Sequence, residues 1–377
     1  MKIAIVNLIT RTPTNRKVPA IDSNKDAMIV KLALELKALG HEVVLYVSDL
    51  YQPVEAEDLG FEVFYLKTYL TGLPEIPFVP SLVGHLRNRF DVVLTSETFQ
   101  WATIFSVIAR LLSFKHKPKI FIWHEISVHQ RAFKQIPSKV FHGIVLKYLL
   151  DWQISYYIPR GRRAEKFLLK QGISNEKLTK PISHGVDQHN FFYESVITNR
   201  DYIFSPSRLV ADKDIPTLLK AFHTLRRHGV DVDLVIQGDG PDYKACKELA
   251  INLQIDQFVF FNRSRVYHDE MRKLYSNAQL TVIASKQDFM LFSVMESLIC
   301  KTPVIVSDAI DIADEIAAYG GGLVFTSGNH EMLFKQMISF WQKSNQSSLL
   351  TVTSEQEKKY KNSTVAIELM NVFEAVC

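Results

Sequence analysis

The chain has 377 residues, of which 47% are hydrophobic and 22% are charged, proportions typical of a globular protein with a substantial core. This length suits two domains. The composition argues against a disordered chain, and no apolar stretch approaches the roughly 18 residues that crossing a bilayer requires. The net charge of +4 is uneven: residues 1–185 hold 25 Lys and Arg against 16 Asp and Glu, whereas residues 186–377 hold 19 against 24. This asymmetry indicates that one half meets an anionic surface or ligand.

The three cysteines are Cys246, Cys300 and Cys377, far apart and without a CxxC pair. Such usage excludes a disulfide scaffold and favours a reducing, cytoplasmic location. The apolar run at the N-terminus is short and is broken by Asn7. We interpret it as a first strand rather than as a secretory signal.

Apolar runs alternate with segments of helical periodicity along the chain. The first half is predicted to contain strands at 2–8, 42–47, 91–95 and 119–123, with a helix at 25–39 that ends before Gly40. The second half is predicted to contain a strand at 201–206, a helix at 214–228, and strands at 233–237, 257–261, 279–284, 303–306 and 322–325.

Strands with nearly continuous apolar character that alternate with helices predict a parallel sheet covered by helices on both faces. Because the pattern occurs twice, we predict an α/β protein with two Rossmann-like, doubly wound domains and a boundary near residues 183–192. In such sheets, ligands bind beyond the carboxyl ends of the strands, where the strand order reverses. The loops that follow the strands are therefore the places to look for functional residues.

The loop after the predicted strand 201–206 contains Arg208 and Lys213. Two cations at the carboxyl end of a strand can hold a diphosphate, Arg through its planar fork and Lys as a point charge. Taken alone, a basic pair in a loop is more often ordinary surface charge.

Asp288 and Glu296 lie eight positions apart across a predicted junction between a loop and a helix. A carboxylate can accept hydrogen bonds from two neighbouring hydroxyls, such as those of a ribose or a hexose. If the helix begins near Met290, Glu296 is expected about two turns into it. The alternatives are a surface acid at Glu296 and an acid favoured by the helix dipole at Asp288.

Two weaker candidates follow other strands. His124, directly after the strand at 119–123, could bind a sugar hydroxyl or a phosphate oxygen, although a lone His is more often structural. The turn at 238–241 begins with Gly238, which permits close backbone approach. No group of His, Cys, Asp and Glu has convincing metal-ligand spacing.

These segments together resemble the retaining glycosyltransferases of family 4, which have the GT-B fold. The resemblance is strongest in the second half and includes SRLVADKDIPTLLKAF, QGDGP, the segment 288–296 followed by KTPVIVSD, and ISHGVDQHNF. GHEVVLYVS near residue 40 and the His after KIFIW add support in the first half. The order and spacing of the segments are those of the family.

The resemblance implies a role for each matching residue. Arg208 and Lys213 would bind the donor diphosphate, and Glu296 would bind the ribose hydroxyls. Asp288 would lie near the transferred sugar, and His124 would contact that sugar from the other domain. Residues 1–185 with a C-terminal helix at about 360–377 would form the acceptor-side domain, and residues 186–359 the nucleotide-sugar-binding domain. Members of the family usually need no metal, so we expect no cofactor besides the nucleotide-sugar co-substrate.

The sequence departs from the family pattern at three places. Asp288 stands where the family has Glu, and is one methylene shorter. Phe289, Met290 and Leu291 replace a Gly-Phe-Gly whose backbone approaches the donor, and these three residues and Phe292 are expected to belong to the donor-binding segment. Ser23 and Asn24 replace a Gly-Gly in a loop that lies close to donor and acceptor. The bulkier residues are expected to narrow the donor pocket.

The resemblance implies transfer of a hexose from a nucleotide diphosphate sugar to a glycan or a lipid-linked acceptor, in polysaccharide or glycoconjugate synthesis. A non-catalytic subunit that keeps the fold is the main alternative, and a sugar-nucleotide epimerase is another. Residues 128–163 hold seven Lys and Arg and one acid among aromatic residues. Such a segment suits an anionic membrane surface, or else a helix whose exposed side is basic. No nucleic-acid recognition motif accompanies it, so no nucleic-acid partner is expected.

Overall fold

The structure is a computed structural model that describes residues 1–11, 13, 17–18, 20–129, 135–194, 200–289, 291–343 and 352–377. Its strands are β1 Lys2–Val6, β2 Glu42–Ser48, β3 Glu62–Leu66, β4 Val92–Ser96, β5 Lys119–His124, β6 Tyr156–Pro159, β7 Tyr202–Pro206, β8 Asp233–Gln237, β9 Val259–Asn262, β10 Leu280–Ile283, β11 Val304–Ser307 and β12 Gly322–Phe325. Its α-helices are α1 Met28–Ala38, α2 Leu82–Leu86, α3 Trp101–Leu111, α4 Gln135–Val140, α5 Arg162–Lys170, α6 Ile215–Arg227, α7 Tyr243–Asn252, α8 His268–Ser276, α9 Phe292–Ile299, α10 Ala313–Tyr319, α11 His330–Lys343, α12 Ser354–Lys359 and α13 Asn362–Glu374.

The chain divides into two compact units. The first comprises Met1–Gly185 and Asn362–Cys377, and the second comprises Val186–Lys361. Each unit contains one sheet of six strands. Their orders are β3-β2-β1-β4-β5-β6 and β12-β11-β10-β7-β8-β9, and all recorded strand pairs are parallel.

Both sheets have the strand order of a dinucleotide-binding Rossmann fold, with the order reversing between β1 and β4 in the first unit and between β7 and β10 in the second. The predicted fold class, two Rossmann-like doubly wound domains, is confirmed. The predicted strands also match the observed ones within two residues at each end. The strands β3 and β6, which form the two edges of the first sheet, were not predicted.

Alternate residues of the central strands pack on opposite faces of each sheet, as a parallel sheet requires. On β7, for example, Ile203 joins one core cluster, and Tyr202 and Phe204 join another. In the first unit, α13 supplies Leu369 and Phe373 to the same core as β1 and α1. The Phe373 ring lies against that of Phe121, with centroids 4.7 Å apart.

The segment after residue 134 departs from regular α-helix. After α4, the backbone of Phe141–Leu150 is π-helical and is followed by a short 3₁₀ turn at Asp151–Gln153. Among the described residues, no helix combines the length and the apolar character needed to cross a membrane.

Candidate active site

The loops that follow β7 and β10 meet at the point where the strand order of the second sheet reverses. These two strands are neighbours, with Ile203 paired to Leu280 and Phe204 paired to Thr281. Lys213 lies in the loop after β7 and Asp288 in the loop after β10, and their side chains form an ion pair. Lys213 and Asp288 are therefore brought together at the carboxyl-terminal end of the strands, where such folds bind ligands.

The Lys213–Asp288 pair is partly shielded from water, with the side chains 15% and 24% exposed. Coulombic attraction is stronger at such a partly desolvated position than on an open surface. The ammonium is thus held in place while remaining accessible to a ligand. A diphosphate at this edge would meet a positioned positive charge.

Backbone and side-chain contacts join the two loops beneath this pair. The residue after Lys213, Asp214, has a left-handed backbone (φ 48°, ψ 43°), and its buried carboxylate accepts a hydrogen bond from Thr217 at 2.7 Å. The other oxygen of Asp214 lies 3.2 Å from the ammonium of Lys286, whose backbone N–H donates to the carbonyl of Asp212 at 2.7 Å. Lys286 was not among the predicted site residues, although it lies only two positions before Asp288.

Arg208 lies in the same loop as Lys213, and its side chain is exposed. Within the described part of the chain, its guanidinium takes part in no hydrogen bond or ion pair. The two predicted cations thus differ: Lys213 is positioned by a carboxylate, whereas Arg208 is free to turn toward an anion.

The two glycines of the turn after β8 pack backbone against backbone with the loop after β7. Gly238 has φ +145°, and a Cβ there would lie 2.4 Å from the carbonyl oxygen of Ser207. A Cβ on Gly240 would lie 2.2 Å from the carbonyl oxygen of Leu209. The N–H of Leu209 donates to the carbonyl of Asp239 at 3.0 Å. Gly238 therefore has a packing role, and its predicted contact with a donor stays a prediction.

Helix α9 begins at Phe292, so Glu296 is its fifth residue and lies just over one turn from the start. The expectation of a start near Met290 and about two turns was wrong, because Leu291 has extended φ and ψ (−82°, 123°) and precedes the helix. Met290 lies outside the described residues. Phe289 and Leu291 are partly buried, and Phe292 is exposed.

The carboxylate of Glu296 accepts a hydrogen bond from the hydroxyl of Tyr275 at 2.8 Å. Burial raises the pKa of Glu296 to about 7, since removing a carboxylate from water disfavours its charged form and the Tyr275 hydrogen bond only partly opposes this. A carboxyl group with a pKa near neutrality in a hydrogen-bonded position is typical of functional sites.

In the first unit, the end of β5 carries a buried charged cluster around His124. The Nδ1 atom of His124 lies 2.8 Å from Oε2 of Glu97, which follows β4. Burial opposes ionisation of Glu97, but attraction to His124 and Arg160 and a hydrogen bond from the backbone of Glu125 together lower its pKa. Arg160 is buried, pairs with Glu125 at 3.0 Å and lies over the ring of Trp123, 4.2 Å from its centroid.

The residues of the predicted acceptor loop are fixed by contacts within the first unit. The hydroxyl of Ser23 donates to Glu57 at 2.6 Å, and the backbone N–H of Asn24 donates to the same carboxylate at 2.8 Å. The buried amide of Asn24 donates to the carbonyl of Tyr51 at 2.9 Å and to the hydroxyl of Tyr65 at 3.1 Å. These side chains thus shape the loop, and their contact with a ligand stays a prediction.

A stripe of large apolar side chains is exposed along α4 and the π-helical segment. It consists of Ile136, Val140, Ile144, Tyr148, Leu149 and Trp152, and is called the apolar stripe below; Ile136 is 73% exposed and Trp152 66% exposed. Lys139 and Lys147 are exposed on the same segment. Its one acid, Asp151, pairs with Lys177 at 2.8 Å.

In the described ranges, no three His, Cys, Asp or Glu side chains gather in a group that could hold a metal ion.

Residues 187–360 match the family model described as "Glycosyl transferases group 1". Over 103 residues, the chain is 34% identical to alpha-monoglucosyldiacylglycerol synthase of Streptococcus pneumoniae, a stretch that is 27% of this chain and 23% of that protein. The chain thus matches about a quarter of the length of this curated relative.

Two solved structures are similar over essentially the whole chain. A glycosyltransferase from Rickettsia africae superposes with a TM-score of 0.72 at 16% identity, covering 100% of this chain and 98% of that one. The Anabaena protein Alr3699/HepE in complex with UDP superposes with a TM-score of 0.73 at 14% identity, covering 100% of both chains. At these identities the similarity shows the fold. The chain therefore has the GT-B fold, and the match of its second unit to the group 1 glycosyl transferases supports a glycosyltransferase.

Proposed function

We propose that the chain transfers a hexose from a nucleotide diphosphate sugar, with retention at the anomeric carbon, to a glycan or a lipid-linked acceptor at the cytoplasmic face of a membrane. The observation that carries the proposal is the Lys213–Asp288 ion pair at the reversal point of the second sheet. The Anabaena protein of the same fold was crystallised with UDP and with UDP-glucose, which favours a nucleotide-sugar donor here.

Each site residue receives a role in this proposal. Lys213 and Arg208 hold the diphosphate, Glu296 accepts hydrogen bonds from the ribose hydroxyls, and Asp288 lies beside the sugar. His124 contacts the sugar. The charge of the diphosphate is met by these cations and by the N-terminal N–H groups of α9, with no metal required.

The proposed reaction requires the site to stabilise the departing diphosphate. As the bond between the anomeric carbon and the diphosphate oxygen breaks, its electron pair moves to that oxygen. An acceptor hydroxyl oxygen forms the new bond on the same face of the sugar, and its proton passes to the departing diphosphate. A cation held where negative charge develops lowers the barrier without reorganising at the moment of reaction. Since Asp288 positions Lys213 through an ion pair, little ordering of that side chain is left for donor binding.

Lys213→Ala tests this role. We expect turnover of the cognate donor to fall by about a hundredfold or more, corresponding to ~3–4 kcal/mol of lost transition-state stabilisation. Lys220→Ala is the matched control, because Lys220 is an exposed lysine of α6 in the same unit. Unchanged turnover in a folded Lys213→Ala variant would remove the diphosphate role.

The proposed acceptor side includes an anionic membrane surface. The apolar stripe gives side chains that can enter the boundary between headgroups and acyl chains, and Lys139 and Lys147 beside it carry the complementary charge. Because each basic residue near an anionic surface contributes ~1 kcal/mol, the double change Lys139→Glu and Lys147→Glu is expected to abolish co-sedimentation with phosphatidylserine-containing vesicles at low salt. The same change at Lys220 and Lys247 in the second unit is the control. Absence of co-sedimentation for the unmodified chain would contradict docking.

A second candidate function is a non-catalytic subunit that binds a donor or stabilises a partner glycosyltransferase. The observation that favours it is the bulk of Phe289 and Leu291, both partly buried where the family has glycines. Transfer or hydrolysis of a nucleotide sugar by the purified chain would exclude it. Product that forms without any acceptor, and that keeps the nucleotide attached, would instead identify an epimerase.

A further inference from the structure

Glu97 is a carboxylate that no family motif named above includes, and it faces His124 across two neighbouring strand ends. Strands β4 and β5 pair in parallel, so the loops that follow them lie side by side. The side chain of His124 is 1% exposed and that of Glu97 is 13% exposed, with Nδ1 and Oε2 2.8 Å apart. Both ring nitrogens of His124 and Oε2 of Glu97 are buried and lack a partner with hydrogen-bond geometry among the described residues, so Nδ1 has its close approach to the Glu97 carboxylate and Nε2 has no such neighbour.

The backbone around Glu97 holds the carboxylate in this place. Glu97 has φ +65°, a left-handed conformation that is uncommon for a residue other than glycine. Its carbonyl accepts a hydrogen bond from the hydroxyl of Thr103 at 2.7 Å, and its Oε1 accepts one from the backbone N–H of Glu125 at 2.9 Å. Unfavourable backbone conformations that the surroundings enforce cluster at functional sites.

The ring of His124 is confined on its other sides. It stacks on Phe167, with ring centroids 5.7 Å apart and an interplanar angle of 21°. The backbone carbonyl of His124 accepts a hydrogen bond from the N–H of Arg160 at 2.7 Å, and the guanidinium of Arg160 forms an ion pair with Glu125. Glu97 is thus the acid in contact with the imidazole. The partner of one ring nitrogen decides which nitrogen carries the proton.

We propose that Glu97 is a positioning residue that keeps a proton on Nδ1 of His124 and so leaves Nε2 for the transferred sugar. This inference rests on the proposed function, in which His124 contacts that sugar. A carboxylate beside Nδ1 favours the protonated nitrogen on its own side and fixes the ring plane. A ligand oxygen would then provide the partner that Nε2 lacks among the described residues.

The test combines a spectroscopic readout with kinetics. The chain is labelled with ¹⁵N-histidine, and the ring signals of His124 are assigned by their loss in His124→Gln. We expect a protonated Nδ1 in the unmodified chain near neutral pH, and loss of this preference in Glu97→Gln. For transfer, Glu97→Gln is expected to lower kcat by roughly 10–100-fold, the range found when a histidine loses its orienting partner, with little change in the KM for the donor. Glu97→Asp should retain part of the kcat that Glu97→Gln loses.

Glu125→Gln is the matched control, since it removes a neighbouring carboxylate that pairs with Arg160 rather than with His124; it should keep the His124 signals. In the double variant Glu97→Gln/His124→Gln, the loss of Glu97 should cost nothing beyond the loss of His124. An unprotonated Nδ1 in the unmodified chain, or additive effects in the double variant, would overturn the inference. The spectra decide this even if the chain proves to have no transferase activity, so failure of the two proposals can be told apart.

Discussion

Glu296 is a partly buried carboxyl group whose ionisation is expected to cost stability. The hydroxyl of Tyr275 donates to its carboxylate, and burial raises its pKa to about 7. In the unfolded chain, a glutamate has an ordinary pKa near 4.3. Since the folded pKa is the higher of the two, the contribution of this group to stability is fully present below about pH 4 and is lost as the pH rises through 7.

Glu296→Gln is therefore expected to stabilise the fold at pH 8 by roughly 1–3 kcal/mol, because it removes the cost of ionising a buried carboxyl. Near pH 4.5 the advantage should almost vanish. Urea denaturation at the two pH values measures the difference, with Glu331→Gln, an exposed acid of α11, as the control. An advantage that does not change with pH would show that Glu296 ionises freely. The same variant should bind a nucleotide diphosphate sugar more weakly if the carboxylate accepts the ribose hydroxyls.

The pairing of Lys213 with Asp288 was only partly foreseeable. Both residues could be identified from their positions after apolar strands and from the family resemblance. The contact between Lys286 and Asp214 and the approach of Glu97 to His124 were not predicted. They join residues that are far apart in sequence or that depend on a left-handed backbone, which residue patterns do not reveal.

At the scale of elements, the loops after β7 and β8 form one packed unit. Gly240 has no positive φ, and glycine is required at this position because the carbonyl of Leu209 lies too close for a Cβ atom. Gly229, in contrast, has φ +81° and open space around it. Replacing Gly240 with Ala tests the steric conflict with the backbone of Leu209, whereas replacing Gly229 with Ala tests backbone strain alone. The comparison also tests whether the shape of the loop after β7, which contains Arg208, depends on its packing against the turn after β8.

We expect Gly240→Ala to cost about 3 kcal/mol in the free energy of unfolding, because a Cβ would meet backbone atoms that cannot turn aside. Gly229→Ala should cost only about 1 kcal/mol, from the left-handed conformation alone. Denaturant titrations of the two variants give both values. Gly240→Ala should also weaken nucleotide binding, since the displaced carbonyl lies beside Arg208. Equal costs at the two positions would contradict the packing role.

The central strands were predictable because each is a buried apolar run of four or more residues. Asp233–Gln237 has the predicted bounds, and so does Gly322–Phe325, an edge strand of the second sheet. The edge strands Glu62–Leu66 and Tyr156–Pro159 were missed, although the edge strands of the second sheet, which are no longer, were predicted. Pairing with a neighbouring strand, rather than local pattern, makes these segments extended. The start of α9 was misplaced for a related reason, since Leu291 is apolar but extended.

At the scale of the whole molecule, two sheets of one topology carry different chemistry at corresponding edges. The first unit presents the Glu97–His124 pair, and the second presents the Lys213–Asp288 pair, with the exposed Arg208 in the same loop as Lys213. The last helix, α13, packs into the core of the first unit although it follows the second in sequence. The chain therefore leaves the first unit after Gly185 and returns to it at Asn362.

The most direct test of the account is equilibrium binding of nucleotide sugars to the unmodified chain. A thermal-shift screen of UDP-, GDP- and ADP-sugars, followed by calorimetry, should find one donor that binds. At 100 times its dissociation constant, that donor should stabilise the fold by about 2.7 kcal/mol, and Lys213→Ala should lose most of this shift while Lys220→Ala keeps it. No shift with any nucleotide sugar, or an equal shift in Lys213→Ala, would contradict the central claim that this cation holds the donor.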